Sequence, residues 1–368
     1  MSPLEALVAL NLLPKIGPVR VRRLLDIFGS ASAILEAPLD RLLRVDGVGE
    51  ETAGILRSWR DHADPSSEIA EAKERGIRLV TQDDADYPAP LRDIYDRPLL
   101  LYVWGELAPR DRHAISVVGS RRATTYGTHT AKKFSYQLAQ AGFTIISGLA
   151  RGIDTAAHEA AVAANGRTIA VIGSGLAKLY PPENFGLAEK IAAGNGAVVS
   201  EFPLHAAPDK QTFPMRNRIV AGWARALLVV ECPAWSGSLI TANLATEYGK
   251  PVFAVPGQVD KPTSAGCHQL IREGATLAAD PSHILDDLGE LPFERPTASA
   301  GPAATPESLP ELPEDEAAVY AAVSADELPV DRIIERSGLP AHVVTATLMK
   351  LEMRRLVRVF PGFRYARR

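Results

Sequence analysis

The sequence predicts an α/β protein: a doubly wound, mostly parallel sheet, with a helical domain before it and a winged helix after it. Three observations carry this expectation. Between about residues 112 and 285, six short β-branched runs alternate with helical stretches of crossover length. Residues 1 to about 60 are dense in Leu, Ile and Val at helical spacing, punctuated by glycine turns. The last fifty or so residues read helix, helix, turn, helix, hairpin, the order of a winged helix.

A chain of 368 residues predicts two or three domains. The boundaries read as 1–76 for the helical domain, 77–288 for the sheet, 289–316 for a Pro-, Ala- and Glu-rich linker, and 317–368 for the winged helix. Hydrophobic residues make up 46% and charged residues 23%, so the chain buries a core and a disordered protein is excluded. A net charge of −4 excludes a globally basic nucleic-acid coat protein but leaves basic patches open. Only two cysteines occur, Cys232 and Cys267, which fits a reducing compartment. The N-terminus lacks the basic region and cleavage site of a signal peptide, and no apolar run reaches the roughly 18 residues of a membrane span. A cytoplasmic protein with no membrane contact is expected. The eight histidines are scattered and the cysteines lack CxxC spacing, so neither a metal nor a cofactor is expected.

In order along the chain, Lys15-Ile16-Gly17-Pro18-Val19-Arg20 and Val45-Asp46-Gly47-Val48-Gly49 look like paired helix-hairpin-helix turns, which present backbone amides to DNA phosphates. Glu50 and Glu51 sit at the positive end of the helix after the second turn and repel a phosphate, which leaves the first hairpin, with Lys15 and Arg20, as the better DNA candidate. Ile77–Val80 and Leu99–Trp104 read as strands leading into the central domain. The six central runs are Ile115–Val118, Phe143–Ile146, Thr168–Ile172, Ala197–Val199, Ala226–Val230 and Pro251–Val255.

Ligands of such sheets bind beyond the carboxyl ends of the strands. The first central run enters Gly119-Ser120-Arg121-Arg122, two guanidinium groups beside a small-residue turn, a combination that suits a phosphate. The second enters Ser147-Gly148-Leu149-Ala150-Arg151-Gly152, a second anion cradle; Ser236-Gly237-Ser238 follows the fifth. Gln211–Arg218 adds Arg216, Asn217 and Arg218 at a helix start close to Lys210, readable as a phosphate clamp or as helix-surface charge. Phe185 lies near Gly173-Ser174-Gly175, the glycine turn after the third run, and an exposed ring there would stack a base for about 1–3 kcal/mol. None of these turns is the dinucleotide or P-loop fingerprint. Several anion-friendly loops with arginines and an aromatic along one sheet edge suit a polymer of repeated phosphates better than one small nucleotide.

VVGSRRATTYG (117–127), ISGLARGIDTAAH (146–158), FPMRNRIVAG (213–222), VVECPAWSGSLITANLA (229–245) and GCHQLIREGATL (266–277) resemble the DprA (Smf) family. The resemblance implies an extended Rossmann-like core that dimerises, binds single-stranded DNA, protects incoming strands in natural transformation and helps load RecA on them, without catalytic turnover. It implies a strand-binding pocket of Gly119, Ser120, Arg121, Ser147, Gly148, Phe185, Arg216 and Asn217, joined by Arg151 and Arg218. Relatives often carry lysine where this chain has Pro182, and Lys178 or Lys210 is expected to replace it. His268 and Leu277 are expected at the dimer contact.

The alternative is an enzyme. The core also resembles the LOG-type nucleotide phosphoribohydrolases, but the stretch Trp235–Asn243 lacks their Pro-Gly-Gly loop and ends in a neutral Asn243, which cannot act as general acid or base. Glu201 and Glu231 at strand ends read either as a carboxylate pair or as hydrogen-bond acceptors for neighbouring loops. In the last block, residues 329–368 hold nine Lys or Arg against three acids, a charge of +6. Val344, Leu348 and Leu351 are expected to face its core. Arg354, Arg355 and Arg358 read either as auxiliary contacts to DNA, double-stranded DNA included, or as part of a protein-contact or autoregulatory surface.

Overall fold

Proline and glycine set the helix ends of the N-terminal region. α1 (Pro3–Leu12) begins behind Ser2, whose hydroxyl accepts from the Glu5 N–H while the Glu5 carboxylate accepts from the Ser2 N–H. α2 (Pro18–Phe28) has proline in its first turn and ends on Gly29, held in the left-handed region at φ 77°. α3 (Ala31–Glu36), α4 (Leu39–Leu42), α5 (Glu50–Arg57), α6 (Trp59–His62) and α7 (Pro65–Glu74) follow. α1 to α6 enclose a core built on Leu10, Leu24, Ile34, Leu42 and Leu56. The computed structural model describes residues 1–289, 313–324, 328–353, 356–360 and 364–367, which divide into two compact units, Met1–Arg295 and Pro296–Arg368.

Within the first unit the chain continues through β1 (Ile77–Thr81), α8 (Ala89–Arg92), β2 (Leu100–Gly105), β3 (Ala114–Gly119), α9 (Thr125–Gln140), β4 (Thr144–Ser147), α10 (Ile153–Ala163) and β5 (Thr168–Val171). It then forms α11 (Phe185–Lys190), β6 (Gly196–Ser200), α12 (Thr212–Trp223), β7 (Ala226–Val230), α13 (Gly237–Glu247), β8 (Val252–Ala254), α14 (Ala265–Arg272), β9 (Thr276–Leu277) and α15 (Pro281–Leu288). The strands make one sheet in the order β1-β2-β6-β5-β4-β3-β7-β8-β9. From β6 to β9 all neighbours are parallel, whereas β1–β2 and β2–β6 pair antiparallel. All six central runs form strands, as expected. β1 and β2 do not merely lead into the sheet but extend it, and β9 has no counterpart among the expected strands.

Alternation along the strands covers both faces. Ile115 and Val117 of β3 pack with Phe134 and Leu138 of α9 and Ile153 and Ala157 of α10. Val118 faces the other way, into a core with Ile219, Val220 and Trp223 of α12 and Ala242 of α13. Val8 of α1 and Ala72 of α7 join Tyr102 of β2 and Val198 of β6 in a further cluster. The boundary expected at residue 76 therefore falls inside one packed body, because α1 and α7 bury apolar surface on the sheet itself.

In the second unit, α16 (Glu314–Ala322), β10 (Leu328–Pro329), α17 (Val330–Ser337), α18 (Ala341–Met353), β11 (Val357–Phe360) and β12 (Arg364–Arg367) form a winged helix, its three strands ordered β10-β12-β11. Val344, Leu348 and Leu351 are fully buried with Val319 and Ile333. Gly338, left-handed at φ 68°, ends α17 and turns the chain into α18. Most of the expected linker lies outside the described residues, as do Arg354 and Arg355. Arg358 is placed on β11 by its backbone.

Candidate functional site

The order of strands fixes where a ligand can enter. From β3 the chain winds outward through β4, β5 and β6, then returns to β7 on the other side and winds away through β8 and β9. Loops at the carboxyl ends of β3 and β7 thus diverge and leave a crevice between them. A cleft of about 550 Å³ lies there, walled by Gly119–Arg122 on one side and Pro233 and Trp235–Ser238 on the other, with Arg216 and Asn217 among its lining residues.

Gly119 is required by close approach. A Cβ on it would stand 1.9 Å from the Val230 carbonyl oxygen and 2.6 Å from Ile153 Cγ1, so only glycine lets β3, β7 and the start of α10 meet. Glu231 then pins the arginine-bearing loop. Its carbonyl accepts from the Ser120 N–H at 2.8 Å, and its carboxylate accepts from the Thr124 N–H at 2.8 Å and the Thr124 hydroxyl at 3.2 Å. Of the two readings offered for this residue, loop acceptor is the one the geometry shows.

Arg121 is exposed, with its guanidinium 4.8 Å from the centre of the Phe213 ring. Phe213 tilts against Tyr180 at 6.0 Å, and the guanidinium of Arg151 lies 5.8 Å from the Tyr180 ring. A row of cation, ring, ring, cation therefore runs from the β3 loop to the β4 loop. Neither ring was among the expected pocket residues, although Tyr180 forms with Phe185 the aromatic pair that follows the Gly173-Ser174-Gly175 turn and Phe213 precedes the arginine cluster. Arg151 also forms an ion pair with Glu183, whose carboxyl is held below the usual range mainly by that hydrogen bond.

Arg216 is 4% exposed and reaches back under the β4 loop, where Nη1 donates to the Gly148 carbonyl at 2.6 Å and also to the Val171 carbonyl. Burial pulls its pKa down to about 10, so it stays a cation at neutral pH. Asp154, buried in the first turn of α10, accepts from the Gly148 and Ala150 N–H groups at 3.1 and 3.3 Å. Burial raises its pKa and the Arg216 charge opposes that rise. His158 is fully buried against Thr168 Oγ1 at 2.7 Å, and burial lowers its pKa to about 3, which makes it a neutral structural histidine.

The structure brings Gly119, Ser120, Arg121, Arg216 and Asn217 together around the cleft and sets Gly148 and Arg151 next to them, beside Arg121 and Arg216. Other expected members lie elsewhere. Ser147 is fully buried and donates its hydroxyl to the Val117 carbonyl at 2.6 Å, so its side chain faces the sheet interior. Arg218 is 5% exposed and turned away from the cleft, ion-paired with Glu201 and with Asp96 at 3.5 Å. Those partners withdraw both Arg218 and Glu201 from the site. Phe185 is half exposed and rests on Trp104 with ring centres 6.0 Å apart, outside the cleft wall. Lys178 and Lys210 are exposed and do not line the cleft either.

The residues expected at accessory surfaces have local partners. Arg20 donates to the carbonyls of Gly47 and Lys15, tying the two hairpins together, and Lys15 pairs with Glu51. Arg20 is thereby a clamp of the fold and not a free cation. His268 has a ring nitrogen 3.0 Å from the Gly257 carbonyl oxygen, and Leu277 is 44% exposed on the edge strand β9. Among the described residues no helix is long and apolar enough to cross a membrane, and no group of His, Cys, Asp or Glu is arranged to hold a metal ion.

Comparison with known proteins gives the same three modules. Residues 78–289 match the family model of DNA recombination-mediator protein A, residues 303–362 the DprA winged helix domain, and residues 8–57 a SAM-like helix-hairpin-helix tandem. The Smf protein of Synechocystis sp. is 36% identical over 96% of each chain. The DNA processing protein DprA of Streptococcus pneumoniae is 44% identical over 56% of this chain and 72% of its own. An X-ray structure of DprA from that species superposes with a TM-score of 0.67 at 32% identity, covering 78% of this chain and 98% of the other. DNA processing protein A of Helicobacter pylori, whose structure is described as showing a unique single-stranded DNA binding mode, has a TM-score of 0.52 at 28% identity, covering 57% of this chain and 95% of that one. Sheet order, flanking modules and near end-to-end similarity agree, and the chain belongs to the DprA (Smf) family of DNA recombination mediators.

Proposed function

We propose that this protein binds single-stranded DNA along the carboxyl edge of its sheet, protects incoming strands and promotes loading of RecA on them during recombination and natural transformation. The observation that carries the reading is the cleft at the β3–β7 divergence, where Arg121, Arg122 and Arg216 gather beside a glycine-serine turn and the cation–ring row continues toward Arg151. Arginines supply phosphate contacts, and exposed rings accept bases of any sequence. The Helicobacter pylori relative supports the choice of strand.

The geometry favours binding over hydrolysis. Asp154 is the carboxylate lining the cleft among the described residues, and it is buried with two backbone amides already donating to its Oδ2. A phosphoribohydrolase would need a carboxylate free to move a proton there. We further propose a cytoplasmic homodimer meeting near His268 and Leu277, and auxiliary duplex contact by the C-terminal stretch of the winged helix, residues 329–368, whose charge is +6.

The test is binding of the full chain to a labelled single strand and to its duplex across a salt series. Released counterions give a log–log slope near −0.7 per neutralised phosphate. Preferential single-strand binding, weakened by Arg121→Ala, supports the reading. Failure to bind either form overturns it.

A further inference from the structure

Four tryptophans occur in the chain, and three are accounted for by packing: Trp59 is 7% exposed, Trp223 is 1% exposed, and Trp104 is half-buried beneath Phe185. Trp235 is 99% exposed. A fully exposed indole leaves roughly 200 Å² of ring surface in water, against the strong tendency of this residue to be buried. Trp235 also lines the cleft that holds Arg121 and Arg216.

The backbone on both sides of the ring is fixed. Glu231, left-handed at φ 51°, turns the chain at the end of β7, and its carbonyl holds the Ser120 N–H. The Cys232 carbonyl accepts from the Gly266 N–H at 2.7 Å, and Pro233 follows. On the other side Ser236 caps α13, accepting from the Ser238 N–H at 3.2 Å. The segment is therefore anchored three residues before Trp235 and one residue after it, and the ring is presented to solvent at the cleft mouth by a short, pinned loop. Its position is opposite the cation–ring row. β5, β4, β3 and β7 are successive neighbours, so the strands that lead into the loops of Tyr180 and Trp235 are three strand spacings apart, roughly 14 Å.

We propose that Trp235 is a stacking platform for a nucleobase at the β7 end of the cleft, receiving the base of a strand whose backbone passes Arg121 and Arg216. The inference rests on the single-strand reading above and adds to it a second aromatic terminus of the binding track. Stacking on a π-face is indifferent to base identity but requires that a base be present.

Two signals from one titration of the full chain with a labelled oligothymidylate separate the outcomes. Anisotropy of the strand reports binding, and tryptophan emission reports the ring. The expected result is binding accompanied by quenched emission in the wild type, loss of most of that quench in Trp235→Phe, and affinity about fivefold or more weaker in Trp235→Ala, with partial rescue by Trp235→Phe. On a strand of the same length with abasic sites, wild type and Trp235→Ala bind alike. Binding without quenching, or an equal loss by Trp235→Ala on normal and abasic strands, overturns the platform while leaving the single-strand reading standing. Absence of binding by anisotropy overturns both.

Discussion

The guanidinium of Arg216 lies directly beneath Gly148: Nη1 donates to the Gly148 carbonyl at 2.6 Å, and a Cβ at position 148 would stand 2.6 Å from the guanidinium carbon. The arginine cannot swing aside, because it is buried and its other contacts are the Val171 carbonyl and Asn217 Oδ1. Gly148→Ala is therefore expected to overpack the site and lower stability by about 1–3 kcal/mol in urea unfolding. Single-strand affinity falls with it, since the cation beneath the loop is displaced.

Arg218 on α12 and Arg121 in the loop after β3 separate stability from binding. Arg218→Ala leaves Glu201 buried without its cation, and breaking a buried pair from one side costs about 3–5 kcal/mol. Its folded fraction should bind single-stranded DNA as the wild type does. Arg121→Ala removes an exposed cation and should leave the melting temperature within experimental scatter while reducing the salt slope by about 0.7. Thermal melts beside salt-dependent titrations of both variants check the pair of outcomes.

The sequence placed both α12 arginines in one clamp because proximity in sequence was the only information available. On a helix, two residues advance the side-chain direction by about 200°, so Arg216 and Arg218 leave opposite faces, one toward the glycine loops and one toward Asp96 and Glu201. The strands and their glycine-rich ends were legible, since β-branched runs and turn residues are local signals. The antiparallel additions β1 and β2 and the two-residue β9 depend on pairing partners far along the chain, which local pattern does not encode. Ser147 shows the same limit: its place after a strand suggested a ligand contact, and only the neighbouring Val117 carbonyl reveals that its hydroxyl is occupied. Trp235 left no periodic trace at all, since one aromatic in a turn reads like any other.

Acid should unfold this protein through His158. Its neutral ring is favoured in the folded state, with a pKa of about 3 against 6.5 when unfolded. The unfolded chain therefore binds the extra proton first, and stability present above pH 6.5 is lost as pH falls toward 3. The full difference is of the order of 5 kcal/mol. Urea midpoints measured from pH 7 to pH 4 should fall steeply for the wild type and more gently for His158→Gln, whose side chain keeps a polar atom for Thr168 but does not titrate.

Glu183 restrains the far end of the cation–ring row. It pairs with Arg151, and both side chains are about half exposed, so the pair adds little to stability but offsets part of the positive charge that a phosphate meets beside Tyr180. Glu183→Gln removes the competing charge without removing the arginine. Affinity for single-stranded DNA should rise about two- to fivefold at low ionic strength, and the gain should disappear near 1 M salt, where screening acts within about 3 Å. Arg151→Ala leaves the Glu183 carboxylate unpaired, so affinity should fall below that of the wild type, and Glu183→Gln in that background should recover part of the loss. If Glu183→Gln instead binds like the wild type at low salt, the strand does not pass Arg151, and the track ends at Arg121 and Phe213.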